Sequence, residues 1–372
     1  MSRRVTTLIG LVGLACSPRH APLDLVALSS STDHSCGITR GGALVCWGDN
    51  EDGGLGNGTR KPSSVARPVS VARSFRIVAV GGNTSCGVTV DSAAFCWGEG
   101  AMGQLGYGVM ADTATPVRQS EGLRIAAISL SSMHGCAVTT VGEGVCWGDN
   151  TTGQLGNGTS AMSGVPVRIA AELPLSTVSV GFGYSCALTP RGAAYCWGSN
   201  YAGKLGTGSA ANSPVPVPVA GGLSFREIST GAGHACGVTT DNLVYCWGSG
   251  AYGALGNGST TDSPSPAAIA GGLKFKSVSA GFGQTCAVTE GGEAYCWGKN
   301  DTGQLGDSTT TQRVFPAPVR GGLHFASISA GSGFTCGLTT TGAAYCWGYN
   351  QGGQLGDGTT VQRSVPVRVI GP

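Results

Sequence analysis

Short apolar runs and glycine-rich polar segments alternate along this chain with a period of fifty residues. The sixth unit shows the pattern most clearly. Ser277-Val278-Ser279-Ala280 is short and partly apolar and is followed by Gly281-Phe282-Gly283. Thr285 to Thr289 is a β-rich run closed by Glu290-Gly291-Gly292, and Ala294 to Trp297 is a third. Short β-rich runs bounded by turn residues read as strands, and the brief glycine turn between the second and third reads as a hairpin. A glycine-punctuated loop from Gly298 to Thr309 then leads to Pro316-Ala317-Pro318-Val319. Its prolines cannot donate to a sheet ladder, which restricts this run to an edge. The pattern predicts four strands per unit, with the fourth outermost.

The period is marked by Cys-Trp-Gly at Cys46, Cys96, Cys146, Cys196, Cys246, Cys296 and Cys346. A second cysteine precedes each by ten residues, at Cys36, Cys86, Cys136, Cys186, Cys236, Cys286 and Cys336. Repeats of this length, each too small to bury both faces of its own sheet, stack radially as propeller blades. Kelch repeats have a similar period, so the period does not select a family. The motifs do. Cys146-Trp147-Gly148-Asp149-Asn150 with Gly153-Gln154-Leu155-Gly156-Asn157-Gly158, and Tyr295 to Asn300 with Gly303-Gln304-Leu305-Gly306, resemble the regulator of chromosome condensation repeat. His234, two residues before Cys236, and the Pro-Val strand are similar too.

The resemblance covers residues 25 to 372 in all seven units and implies an all-β fold, a seven-bladed β-propeller of seven 50-residue repeats. It also implies that the histidine bonds within its own blade. Departures from the pattern fall blade by blade. The histidine recurs only as His34, His134 and His234, with Thr84, Tyr184, Gln284 and Phe334 elsewhere, and Gly-Gln-Leu-Gly is reduced to Gly54-Leu55 or altered at Lys204 and Ala254. The chain enters the repeat at Leu25-Val26-Ala27-Leu28 and leaves it on Val365-Pro366-Val367-Arg368-Val369. If the Pro-Val strand precedes its three partners, the last strand completes blade one and closes the ring; otherwise each unit is a whole blade.

Cys36 and Cys46 are equidistant from Gly41, so a three-residue turn sets them opposite each other. Opposed strand residues lie about 4.5–5.5 Å apart at Cα, within disulfide reach. The expected pairs are therefore 36 with 46 and so on to 336 with 346. Zinc is the alternative, but structural sites favour cysteines two to four residues apart, which this spacing does not match. No metal and no cofactor is expected. The tryptophans beside the cysteines are read as packing between blades. Asn-Gly-Thr at Asn57 and Asn157 is read as turn chemistry.

Composition adds little to the fold but excludes some functions. The 372 residues hold 65 glycines and are 41% hydrophobic, which is not the signature of disorder. With 22 basic against 20 acidic residues, net charge points to no nucleic acid or other polyanion.

The N-terminus does change the picture. Arg3-Arg4 precede an apolar run from Val5 to Ala15, the form of a bacterial-type export signal, and the run is too short to span a bilayer. Leu14-Ala15-Cys16 resembles a lipoprotein processing site, with Gly13 and Leu14 departing from its preferred residues. Residues 1–15 are expected to be a signal peptide, 16–24 a tether, and 25–372 the propeller, exported and held at the outer membrane or cell surface by a lipid on Cys16, or else periplasmic or secreted. Fifteen cysteines suit an oxidising compartment, and fourteen that pair leave Cys16 over.

Strand parity puts the loop after the first strand and the loop after the third on one face of the disc. That face collects Phe182, Tyr184, Tyr201, Tyr252, Phe282, Phe334 and Tyr349, the candidate protein-binding residues. Tyr184 and Phe334 have a competing role as core fillers where other units carry histidine. No nucleophile motif, carboxylate pair or phosphate loop is present, so no enzyme is expected. The expected function is a monomeric extracytoplasmic scaffold for an unknown protein, with the membrane involved only through the lipid. The alternatives are a regulator resembling guanine-nucleotide exchange factors and a propeller-type enzyme inhibitor. Fractionation should find a cleaved, membrane-attached protein, and Cys16→Ala should release it; full-length protein in the cytoplasm would refute export.

Overall fold

The computed structural model describes residues 23–119, 122–170 and 174–371. Within them, 28 strands form seven four-stranded antiparallel sheets. Blade one is Leu25–Ser30, His34–Thr39, Leu44–Gly48 and Ser63–Pro68, hydrogen-bonded in that order. First strands of successive blades contact one another, so they line the axis, and the proline-bearing fourth strand is outermost as its missing N–H groups require. The seven-bladed propeller is thus as the repeat predicts. The signal segment and Cys16 lie outside the described residues.

Of the two modes of ring closure that the sequence left open, the structure has the one without a shared blade. The last strand, Arg363–Arg368, pairs with Ala344–Gly348 of its own unit, so each fifty-residue unit is a whole blade. The ring still closes through described residues alone. The Ser30 N–H donates to Ser329 Oγ at 2.9 Å, the Ala66 N–H to Ile370 O at 3.1 Å, and Leu23, Trp47 and Val369 share one buried cluster with blade seven. Closure combines packing with these backbone bonds, and blade one's fourth strand can make its bond because Ala66 stands where the other units carry proline.

All fourteen repeat cysteines are paired as the register requires. In blade one the Thr39 and Ala43 backbones bond across the turn, and Cys36 sits opposite Cys46. Counting back from Thr39 places this pair at a site without ladder hydrogen bonds, where strands approach most closely. The Cα separations are 4.0–4.1 Å, shorter than the sequence argument assumed.

Each tryptophan is fully buried, and each reaches back into the preceding blade. Trp197 Nε1–H donates to Gln154 O at 2.9 Å, and Trp47 Nε1–H closes the series by donating to Gln354 O at 3.0 Å. The second glycine of the Gly-Gln-Leu-Gly motif lies under the ring. Gly156 has φ +68°, and a Cβ there would lie 2.6 Å from Trp197 Nε1. The two halves of the motif are therefore partners, each tryptophan with the loop of the blade before it.

The expectation that the histidines bond within their own blade holds for His134, whose Nδ1 meets Ser131 Oγ at 2.9 Å, but all three rings also bond across to the next blade. His34 Nε2 meets Ser85 Oγ at 2.6 Å, His134 meets Ser185 at 2.9 Å, and His234 meets Thr285 at 2.7 Å. Each hydroxyl donates onward to the carbonyl that also receives the tryptophan, as Ser85 does to Gly54 O. The hydroxyl proton is thus spent, so the imidazole is the donor through Nε2–H. Burial holds His34 and His234 down at about 4, which keeps the rings neutral.

The junctions differ in one respect. Gln154 O receives both Trp197 and Ser185, whereas Gln354 O receives Trp47 and no second donor among the described residues. Trp47→Phe should therefore cost more than Trp197→Phe, by about 1 kcal/mol within a total of about 1–3 kcal/mol for the polar term. Denaturant midpoints of the two oxidised variants measure this, and equal losses would refute it.

Candidate functional site

The loops between first and second strands and between third and fourth strands emerge together, as parity requires. The long loop is held by an asparagine. Asn50 Oδ1 accepts the Leu55 N–H, and Asn50 Nδ2 donates to Thr59 O and Lys61 O, each at 2.9 Å. Asn150, Asn300 and Asn350 repeat this arrangement. Gly100 and Gly250 replace it, and the carboxylates of Asp112 and Asp262 accept their N–H groups instead. Asn57 and Asn157 accept the N–H two residues on, the turn role read from sequence. Short polar loops fixed in this way present their tips as a rigid surface.

The aromatic candidates divide into two sets. Tyr201, Phe282, Phe182 and Tyr252 are 76%, 58%, 52% and 49% exposed, and Tyr349 is half-buried with its hydroxyl donating to Gln351 Oε1. Tyr184 and Phe334 are fully buried and so are removed from the contact surface. They occupy the histidine position between blades, and Tyr184 donates its hydroxyl to His234 O at 2.6 Å. Two residues of separation decide the matter: Phe182 lies in the loop, whereas Tyr184 begins the strand whose face is core.

Two cations prop this arc from beneath. Lys204, standing where other units have glutamine, donates to Phe182 O at 2.7 Å and lies 4.8 Å from the centre of the Tyr184 ring. Burial lowers its amine to about 8. Lys299 lies 5.6 Å from the centre of the Tyr252 ring, which is carried on a backbone with φ +61°. A tyrosine in the left-handed region is uncommon, and here it turns the ring outward.

Opposite the aromatics, blades one and two carry acids. Burial raises Asp33 to about 6, with Asp49, Asp52 and Glu51 adding like charge, and Glu99 is raised by burial and by Asp52 and Asp112. Between the two arcs opens a cavity of about 440 Å³ at the mouth of the axis, lined by Asp33, Asn83, Glu99, Phe182 and Phe282.

Below the mouth lies a collar that the sequence reading did not single out. Ser29 Oγ accepts the Val80 N–H at 3.1 Å, and Ser129, Ser179, Ser229, Ser279 and Ser329 make the same bond to the next blade. Ala79 interrupts it in blade two. The signal was present as a serine recurring at one place in the period. One turn deeper, Glu227 accepts the Val278 N–H at 3.3 Å, and Ser277 Oγ on the adjoining strand has no partner among the described residues.

The comparisons agree with this architecture. A family model described as "RCC1-like domain" matches residues 93–372, and one described as "Regulator of chromosome condensation (RCC1) repeat" matches residues 25–53. No curated protein matches the chain in sequence. Among solved structures, human WBSCR16 has a TM-score of 0.80 at 20% identity, covering 89% of this chain and 95% of that one. Prp20p from Saccharomyces cerevisiae has a TM-score of 0.77 at 20% identity, covering 93% and 87%. The CRINKLY WD40 ectodomain of the Arabidopsis thaliana receptor kinase ACR4 has a TM-score of 0.56 at 21% identity, covering 86% and 95%. At these identities the likeness is one of fold.

Burial pushes the Glu227 carboxyl up to about 7, against smaller lowering by the Val278 N–H and Arg226. A raised carboxyl favours the folded state fully below its unfolded value, and that contribution is lost as pH rises through the folded one. Glu227→Gln removes the group, so its stability relative to the parent should rise between about pH 4.5 and pH 7 and then level off, by at most ~3 kcal/mol. Denaturation across that window measures it, and a difference independent of pH would refute it.

Proposed function

The chain belongs to the RCC1-like domain family, and from that premise we propose that it is a non-enzymatic, extracytoplasmic protein-binding scaffold, monomeric and tethered through Cys16. The observation that carries this reading is the exposed arc of Phe182, Tyr201, Tyr252 and Phe282 beside an open cavity. Rigid aromatics concentrated at one surface are what protein hot spots use, and a half-exposed ring leaves much apolar area for a partner to cover. The acids of blades one and two favour a partner whose matching surface is apolar on one side and basic on the other.

Seven disulfides support the oxidising compartment, and the ACR4 ectodomain is a related fold in a receptor's ectodomain. Prp20p is described with binding to Gsp1p and histones, and yeast Prp20 with Kap60, which supports protein partners for this fold. The same relatives are the ground for a second reading, a regulator resembling guanine-nucleotide exchange factors. Against it stands the uniform period, which leaves no inserted segment to enter a nucleotide site. The enzyme-inhibitor reading is a special case of the scaffold, with an enzyme as partner.

A pull-down with the oxidised propeller from extracytoplasmic extract should recover a partner. Phe182→Ala, Phe282→Ala and Tyr252→Ala should each weaken its binding by about 2 kcal/mol, roughly thirtyfold, with little change in melting temperature. Variants that fold normally and bind normally would refute the aromatic face.

A further inference from the structure

The near-zero net charge hides a segregation that only the fold reveals. The aromatic-bearing face, with its loops and flanking strand ends, carries eleven Asp and Glu against six Lys and Arg among the described residues. The opposite face is built from the hairpin turns, the connections between blades and the two strand residues beside each, the turns and connections themselves being balanced in charge and the basic excess lying on the strand ends. It carries thirteen Lys and Arg against six Asp and Glu. Glu121 and Glu172 fall in two of the same connecting segments of sequence, outside the described residues, and adding them leaves the basic groups well in excess.

Part of this basic charge is exposed. Among the basic residues of this face, Arg40 pairs with Asp24 and Arg168 with Glu143, while Arg73, Arg124, Arg191, Lys274 and Arg320 are exposed and make no salt bridge among the described residues, although Arg73 and Lys274 each act electrostatically on a turn carboxylate, Asp91 and Asp241. They come from four connections between blades and one hairpin turn around the disc. Nearer the axis, Arg226 donates to Phe275 O and Lys276 to Phe325 O, which places further cations on the same side.

The chain enters the propeller on this side. Leu23 is buried against blade seven, Asp24 bonds Arg40 in the first hairpin turn, and the Leu25 N–H donates to Gly342 O in the last one. Only six residues lie between Cys16 and Leu23, at most about 25 Å of extended chain. An anchor at Cys16 would therefore hold the basic face, and not the aromatic one, within reach of the bilayer.

We infer that the hairpin-turn face is a docking surface for an anionic lipid bilayer, and that it turns the aromatic face outward. The orientation rests on the tethered scaffold reading, whereas the lipid affinity is a property of the propeller itself. Each Lys or Arg close to an anionic leaflet is worth about fivefold in partitioning, over a range set by the Debye length. A lipid anchor alone binds weakly and reversibly, and a basic surface beside it is the second attachment that makes binding persist.

The test uses the oxidised propeller, residues 23–372, whose ring closes without the segment before it. Co-sedimentation should show binding to phosphatidylglycerol-containing vesicles at about 20 mM salt, little to phosphatidylcholine vesicles, and loss at about 500 mM salt. Arg73→Glu with Arg191→Glu should lower binding at least tenfold. Arg60→Glu with Lys61→Glu makes the same charge change on the other face and should leave binding largely intact. Equal loss in the two double variants would show that net charge, not this face, governs binding. Equal binding to neutral vesicles, or binding to heparin or DNA with none to lipid, would overturn the inference in favour of another surface or another polyanion. Fractionation of the full chain is read separately: cytoplasmic, uncleaved protein refutes the tether and leaves the vesicle result standing.

Discussion

Every blade boundary depends on one hydrogen bond, from a buried indole N–H to the carbonyl just before the leucine of the preceding blade's loop. A buried carbonyl without a donor is costly, and a buried indole without an acceptor equally so. The two needs are met only when neighbouring blades sit at one separation and one rotation. Repeating that condition at seven boundaries, from Trp47 with Gln354 O round to Trp347 with Gln304 O, fixes the radius of the ring. The glycine beneath the ring enforces the same distance sterically, because any Cβ at Gly156 would collide with Trp197.

Disulfides and tryptophans therefore divide the work. The cystine closes a ten-residue separation inside one hairpin, and toward the next blade it adds packing and a weak contact such as Cys36 Sγ with Ser85 Oγ at 3.6 Å. The indole joins blades and leaves the hairpin free. Histidine, serine and threonine add to the boundary where present, and the chain tolerates Tyr184, Gln284 or Phe334 in the histidine position because the main bond does not require it. Variation at that position is thus permitted by the constancy of another.

What the sequence disclosed, it disclosed through local constraints. Equal distances from a turn gave the cystines, and proline gave the outer strand. The partner of each tryptophan was less visible, since it lies 43 residues back and across a sheet boundary. Phase was undecided because the Pro-Val strand reads equally as the first or last of four. Phe182 and Tyr184 are two residues apart on the same side of a turn, and parity cannot tell a loop tip from the first residue of a strand. Net charge averaged over a chain that visits two faces alternately loses the sign of each. The serine collar was visible in principle, as a small polar residue recurring where an inner strand should be apolar.

Because each unit keeps all four of its own strands, the seam between blade seven and blade one carries the same indole bond as the six seams that the chain crosses covalently, and differs from them only in details such as the Ala66 N–H bond to Ile370 O. The indole bonds and the cystines do not mark where the polypeptide starts. A circular permutant opened in any connection between blades would recover the same indole bonds and the same cystines. A lineage could lengthen such a protein by duplicating a whole blade, without rebuilding a shared sheet. The position of the termini is then set by the face on which an attached segment must emerge, and geometry leaves two choices: one side of the disc or the other.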